Sequence, residues 1–350
     1  MNSCYNNSIS HIKQVSSTIA TLQCTKKEML GTMGKYYVGI DLGGTDIKAG
    51  VIDEDFNILA KHVVPTNTGR SIDDIVADMV AAGKTAVKAA GGSENDISYV
   101  GVGVPGAVNS KTNIIILTPN VGWKNVDFIP IFKKYWDIPV FLGNDADAAA
   151  LAEVYAGAAR GYDNAVVLTL GTGVGGGFVF DKKIFTGCGF GTEPGHIIIV
   201  VDGEPCGCGA RGCLEAYASV TALIREARRI MAKCPESLLH TLCNGDDSLV
   251  SGKIIFDAVK QGDEAAKIIV ADYVKYLGAG IASLCNALRP QVVLLGGGLS
   301  HAGEPLFGPL DKIVESLAFS TGDGEIPPIL KAELGNDAGI IGAALFGIGS

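Results

Sequence analysis

Residues 38–53 read VGIDLGGTDIKAGVID, and residues 166–181 read VVLTLGTGVGGGFVFD. Laid over one another without a gap, they match Val38 with Val166, Leu42 with Leu170, Gly43 with Gly171, Val51 with Val179 and Asp53 with Asp181. Each is an apolar run, a glycine turn and a second apolar run, the pattern of a β-hairpin. Two hairpins of one type, each opening a half of the chain, predict an internal duplication. Each half also carries a later apolar strand ending in glycine, residues 100–106 (VGVGVPG) and 292–298 (VVLLGGG). Helical spacing fills the intervals. Ser71 and Asp74 make a capping-box-like start for Ile72, Ile75, Val76, Met79, Val80 and Val87; residues 220–232 and 264–288 are further helices, the latter stopped by Pro290. Strands alternating with helices predict an α/β fold.

A chain of 350 residues exceeds what one hydrophobic core usually supports, so two duplicated lobes with a cleft between them are expected. The boundary falls near Asn144. Residues 34–144, with the last helix at 337–350 packing back on them, form the small lobe; residues 145–336 form the large one. Residues 1–33, polar and without the apolar block of a secretory signal, are expected to be a disordered extension, with Met33 the natural start of the folded part. The 28 Lys and Arg against 37 Asp and Glu give a net charge of −9, which argues against binding to nucleic acid or to an acidic membrane. No run of eighteen apolar residues occurs, which predicts a soluble protein. The nine cysteines form no disulfide framework, so a cytoplasmic, reduced setting is expected.

The 47 glycines locate the candidate site. A glycine turn after a strand exposes backbone N–H groups to phosphate oxygens. Two such turns across a cleft can grip a nucleoside triphosphate, with Asp41 holding Mg²⁺ through water and Gly43, Gly44, Thr45, Thr172 and Gly173 offering donors. The plain alternative is a pair of ordinary hairpins. Two other spellings fail their context: Gly83-Lys84-Thr85 lacks the earlier glycine of a P-loop, and Gly101, Gly103 and Gly106 are not followed by a helix. Asn144 and Asp145 fall at a strand-to-helix junction, where Asp145 can accept a proton from an attacking alcohol; the alternative is a helix N-cap. His196, Cys206, Cys208 and Cys213 offer one imidazole and three thiolates in a glycine-rich segment, the donor set of structural Zn²⁺. A site closed by four protein ligands does not activate water, so its task is to fix a loop. That loop carries Glu193 on one side and Glu215 on the other, two acceptors for the vicinal hydroxyls of a sugar.

These motifs together resemble the sugar kinases of the ROK family (repressor, open reading frame, kinase), close to its bacterial glucokinases and within the actin-like, ribonuclease-H-like ATPase superfamily. The likeness spans residues 34–347 and is carried by DLGGT at 41–45, LGTGVGGG at 170–177, GND at 143–145, E-x-G-H at 193–196, CGCGARGCLE at 206–215 and LLGGGLS at 294–300. The resemblance implies an ATP-dependent kinase with Asp145 as the base for the sugar 6-hydroxyl. It further implies Asn120, Asn144, Glu193, His196 and Glu215 as sugar contacts, backbone help near Gly106, an adenosine pocket at Gly296, Gly297 and Gly298, and a homodimer or homotetramer. His196 serves twice in this reading, one ring nitrogen on zinc and the other on the sugar. Glucose is the expected substrate and N-acetylmannosamine the nearest rival. Pro194 and Thr192 depart from the usual pattern of the resemblance and bear on fine sugar preference. A ROK repressor needs a winged helix-turn-helix ahead of the sugar unit, for which residues 1–32 are too few and too polar. A catalytically dead sensor conflicts with Asp145 and both glycine turns.

Overall fold

The computed structural model describes residues 36–320 and 326–348. The expected disordered extension, residues 1–33, lies outside them. Among the described residues, thirteen strands build three sheets. The first sheet joins β1 (Tyr36–Leu42), β2 (Asp46–Ile52), β3 (Ile58–Pro65), β4 (Ile97–Val104) and β8 (Val140–Asn144) in the order β3-β2-β1-β4-β8. The second joins β9 (Ala165–Leu170), β10 (Val174–Phe180), β11 (Lys183–Ile184), β12 (Val292–Gly296) and β13 (Ile329–Lys331) in the order β11-β10-β9-β12-β13. Both run antiparallel through their first three strands in sequence and then parallel. The duplication is therefore one of topology. Between β4 and β8 a small antiparallel sheet is inserted, made of β5 (Ala107–Asn109), β6 (Ile114–Thr118) and β7 (Trp123–Asp127).

The two hairpins differ by one residue in register. Leu42 stands opposite Ile47, leaving residues 43–46 for the turn, whereas Leu170 stands opposite Val174, leaving residues 171–173. A slip of one residue changes which side chains face each other. Asp41 is paired across from Lys48 in the first hairpin, and its counterpart Thr169 from Gly175 in the second. The ungapped sequence match hides this.

The central strands are apolar almost throughout because both faces of each sheet are covered. Val38, Ile40 and Leu42 of β1 and Val166, Leu168 and Leu170 of β9 are fully buried. Two helices lie between the sheets, Asp145–Tyr155 and Ala338–Leu345, and an apolar cluster drawn from both sheets packs on them. Backbone approaches backbone here without room for a Cβ: one added to Gly39 would collide with the Ile340 carbonyl, one on Gly101 with the Ala343 carbonyl, and one on Gly342 with the Ala148 carbonyl. The Tyr99 hydroxyl donates to the Ala344 carbonyl at 2.8 Å, which fixes the last helix along the first sheet.

One helix among the described residues, Glu264–Leu288, is long and apolar enough by composition to cross a membrane, with a mean hydropathy of 1.4 over its apolar window. Glu264, Lys267, Asp272 and Lys275 interrupt it, so it holds no run of eighteen apolar residues. Of that window 61% is buried, and Ile269, Tyr273, Val274, Leu277 and Ile281 pack in the core of the second sheet, the placement of a core helix.

Candidate active site

The β8 strand ends at Asn144 and the next helix begins at Asp145, so the two side chains stand at the end of the first sheet. Asn144 is the helix cap. Its Oδ1 accepts from the Ala146 and Asp147 amides at 2.7 and 3.1 Å, while its Nδ2 donates to the Gly106 carbonyl at 2.9 Å. Gly106 takes a positive φ of 92°, and a Cβ there would strike the Leu117 carbonyl. Because Asn144 does the capping, Asp145 is left with one bond, from the Ala146 amide to its Oδ1 at 2.9 Å. Burial first, then the charges of Asp41 and Glu193, push the Asp145 carboxyl up to about 6, against the opposing pull of backbone N–H groups. Asp41, Asp145 and Glu193 thus act on one another electrostatically across one region. Asp41 is itself raised, chiefly by burial, although Lys48 Nζ lies 3.3 Å away and pulls the other way.

The turns divide their amides. Gly43 N–H donates to the Asp46 carbonyl at 2.9 Å and Gly171 N–H to the Gly173 carbonyl at 3.0 Å, so Gly43 closes its turn with the group expected to face phosphate. The amides of Gly44, Thr45, Thr172 and Gly173 donate to no acceptor among the described residues. Free N–H groups at a turn tip form an anion site. Asn120 packs on the first turn, since a Cβ on Gly44 would lie 3.1 Å from its Cβ. The following glycines have another reason: a Cβ on Gly177 would lie 2.7 Å from Ala150 Cβ, so β10 is bare where the Asp145–Tyr155 helix crosses it.

Beyond the second turn opens a cleft of about 610 Å³, lined by Thr169, Gly296, Gly297, Gly298, Glu153 and Asn336 among others. Gly297, at φ 80°, has no room for a Cβ, which would strike the Leu170 carbonyl. Glu153, only 2% exposed, accepts from the amides of Ala158, Glu333 and Leu334 and so pins the far wall. Glu153 and Asn336 were not indicated by the sequence. Their place in the cleft comes from chain segments far apart.

The metal-ligand set converges. The ligand atoms of His196, Cys206, Cys208 and Cys213 all lie within 4.8 Å of one another, with Cys206 Sγ 3.7 Å from His196 Nδ1 and Cys208 Sγ 3.7 Å from Cys213 Sγ. A tetrahedron with bonds of about 2.3 Å has edges of about 3.8 Å, so these separations fit Zn²⁺. Burial, and then the neighbouring thiols, push the Cys206 thiol up, a cost that a bound cation would remove. With Nδ1 turned to the sulfurs, Nε2 of His196 is left for another partner. Glu215 links this loop to the second turn: its Oε2 accepts from the Val174 amide at 3.0 Å, and its Oε1 lies 3.6 Å from Cys206 Sγ.

The model of the ROK family matches residues 37–348. The chain belongs to the ROK family. It is 39% identical to the glucokinase of Thermotoga maritima over 311 residues, covering 88% of this chain and 95% of that one. To the glucokinase of Streptomyces coelicolor it is 36% identical, covering 88% and 96%. Among solved structures it is similar to a ROK family glucokinase from Streptomyces griseus in complex with glucose and AMPPNP, with a TM-score of 0.73, 36% identity and coverage of 88% and 98%. The fold is accordingly that of the ROK sugar kinases, two actin-like α/β halves.

In this ROK chain a further carboxylate, missed by the sequence reading, lies behind the site. Asp147, 4% exposed, accepts no hydrogen bond among the described residues. Burial, then the charges of Asp145 and Glu193, push it up to about 7. A single Asp one turn into an alanine-rich helix gives no sequence signal of burial.

Proposed function

We propose that the chain is an ATP-dependent glucokinase that transfers the γ-phosphoryl group of ATP to the 6-hydroxyl of glucose. The observation that carries the reading is Asp145. Its carboxyl sits at a helix start, released from capping by Asn144 and poised near neutrality by its surroundings. In the transfer Asp145 accepts the 6-hydroxyl proton as that oxygen bonds to the γ-phosphorus and the bond to the β-phosphate oxygen breaks, leaving ADP. Asn120, Asn144, Glu193, His196, Glu215 and the Gly106 backbone hold the sugar, and the free amides of Gly44, Thr45, Thr172 and Gly173 take phosphate oxygens. Mg²⁺, held through water by Asp41, would neutralise phosphate charge. Zn²⁺, held by His196, Cys206, Cys208 and Cys213, would cross-link the loop that orients His196 and Glu215.

The lobes of this reading are residues 34–144 with 337–350, and residues 145–336. Closure of one on the other excludes water that would otherwise take the phosphoryl group. The thiols among the described residues are free, which supports a reducing, cytoplasmic setting.

An ADP-release assay with ATP and glucose, N-acetylmannosamine, N-acetylglucosamine, mannose or fructose tests the reading. The highest kcat/KM is expected for glucose, and a higher value for N-acetylmannosamine would replace glucose as the substrate. The same assay reads the base. Only ionised Asp145 accepts a proton, and its carboxyl titrates at about 6, so kcat/KM should fall about tenfold per pH unit below that value. A profile flat down to pH 4.5 would remove Asp145 from the role.

A further inference from the structure

We propose that Asp147 and Thr192 form a latch that seats the segment carrying Glu193, making Asp147 a positioning residue for sugar binding. The inference rests on the reading of Glu193 as a sugar contact. One polar group here is fully enclosed and unsatisfied, the Thr192 hydroxyl. Such a group is uncommon in folded proteins and asks for a partner. The nearby Asp147, 4% exposed as a residue, accepts no hydrogen bond among the described residues and so has acceptor capacity to spare.

The segment that carries Thr192 passes over Asp147. Asp147 Oδ2 lies directly under Gly191, where a Cβ would come within 2.8 Å of it, and Thr192 is the next residue. Gly191 has a positive φ of 75°, a conformation that lets the chain turn over the carboxylate. Glu193 follows Thr192, and its charge is felt at both Asp145 and Asp147, so the three-residue segment spans the space between the helix and the sugar side. Glu193 itself is exposed and its carboxylate makes no hydrogen bond among the described residues. In this state it is unplaced.

Rotation of the Thr192 side chain toward Asp147 satisfies both groups at once. Its hydroxyl donates and Asp147 accepts, which either protonation state of the carboxyl permits. The bond anchors the backbone one residue ahead of Glu193 and fixes where that carboxylate meets the sugar hydroxyls. Asp147 touches neither substrate in this arrangement. It acts through Thr192.

The test is a set of variants assayed for KM of glucose, KM of ATP and kcat. Thr192→Val keeps the shape and removes the hydroxyl; its KM for glucose is expected to rise about fivefold, the scale of one neutral hydrogen bond, with kcat and the ATP KM within about twofold. Thr192→Ser and Asp147→Asn, which retain donor and acceptor, should behave as the wild type. Asp147→Ala should match Thr192→Val, and the double variant should be no worse than either single. Glu193→Gln is the control for the underlying reading. If it raises the glucose KM while Thr192→Val does not, the latch is wrong and the sugar site stands. If Glu193→Gln leaves the KM unchanged, the site reading fails and the latch fails with it. An additive double variant, or an ATP KM that rises in parallel, also overturns the latch. Should Asp147→Ala not fold, the Thr192→Val and Thr192→Ser pair decides alone.

Discussion

Asp145→Ala is expected to lower kcat by about 10²–10⁴-fold, the range for loss of a positioned general base. Glucose binding should survive, because Asn120, Asn144, Glu193, His196 and Glu215 are untouched, and a titration of glucose against the variant measures it. Unfolding would not account for the loss. The carboxyl titrates near 6 in the folded protein against 3.8 ordinarily, so its ionised form is disfavoured by the fold. A raised acid contributes stability that is fully present below the unfolded pKa and is lost as pH rises through the folded one. Removing it should therefore raise stability at pH 8, by on the order of 2–3 kcal/mol before the small cavity is subtracted. A variant that is inactive and melts higher above pH 6 than the wild type meets both expectations. Turnover within tenfold of wild type would remove Asp145 as the base.

Cys208→Ser is expected to release the metal and loosen the sugar side together. Val201 is 83% exposed and Ile198 61%, and the loop between His196 and Cys213 packs on the core through Ile197 and Ile199. Backbone bonds also hold it, among them Ile199 N–H to the Gly212 carbonyl, Cys206 N–H to the Ala210 carbonyl and Leu214 N–H to the Ile197 carbonyl, each at 2.9 Å. A metal cross-link at His196, Cys206, Cys208 and Cys213 would add to these restraints. Metal content should fall from about one zinc per chain to near none, and the glucose KM should rise at least about tenfold as His196 and Glu215 lose their support. Prolonged chelation of the wild type should reproduce the change, and added Zn²⁺ should reverse it. An unchanged zinc content in the variant would contradict the ligand set.

What the sequence disclosed is what is local in the chain. The two glycine hairpins, the strand-to-helix junction at Asn144 and Asp145, and the cysteines between residues 206 and 213 each lie within a short window. Their chemistry follows from neighbours in sequence. The one-residue difference in hairpin register was hidden because residues 38–53 and 166–181 align without a gap, although Leu42 pairs with Ile47 and Leu170 with Val174. Lys48 beside Asp41 is a consequence of that pairing and could not be read before it. Glu153 and Asp147 look like solvated acids on an alanine-rich helix, yet the helix is covered on more than one side, by β10 and by the Ala338–Leu345 helix. Burial of that kind is decided by tertiary packing. The same packing makes Asn144 the cap and frees Asp145, which sequence alone left as two open alternatives.

The claim at the centre is that the Asp145 carboxylate faces the oxygen that receives the phosphoryl group. A crystal structure with glucose and a non-hydrolysable ATP analogue measures this directly. The expected result places the glucose 6-hydroxyl within hydrogen-bond reach of Asp145, about 2.6–3.2 Å, on the side that faces the γ-phosphorus. A 6-hydroxyl bonded to some other side chain, with the Asp145 carboxylate turned to solvent or to the protein interior, would contradict it.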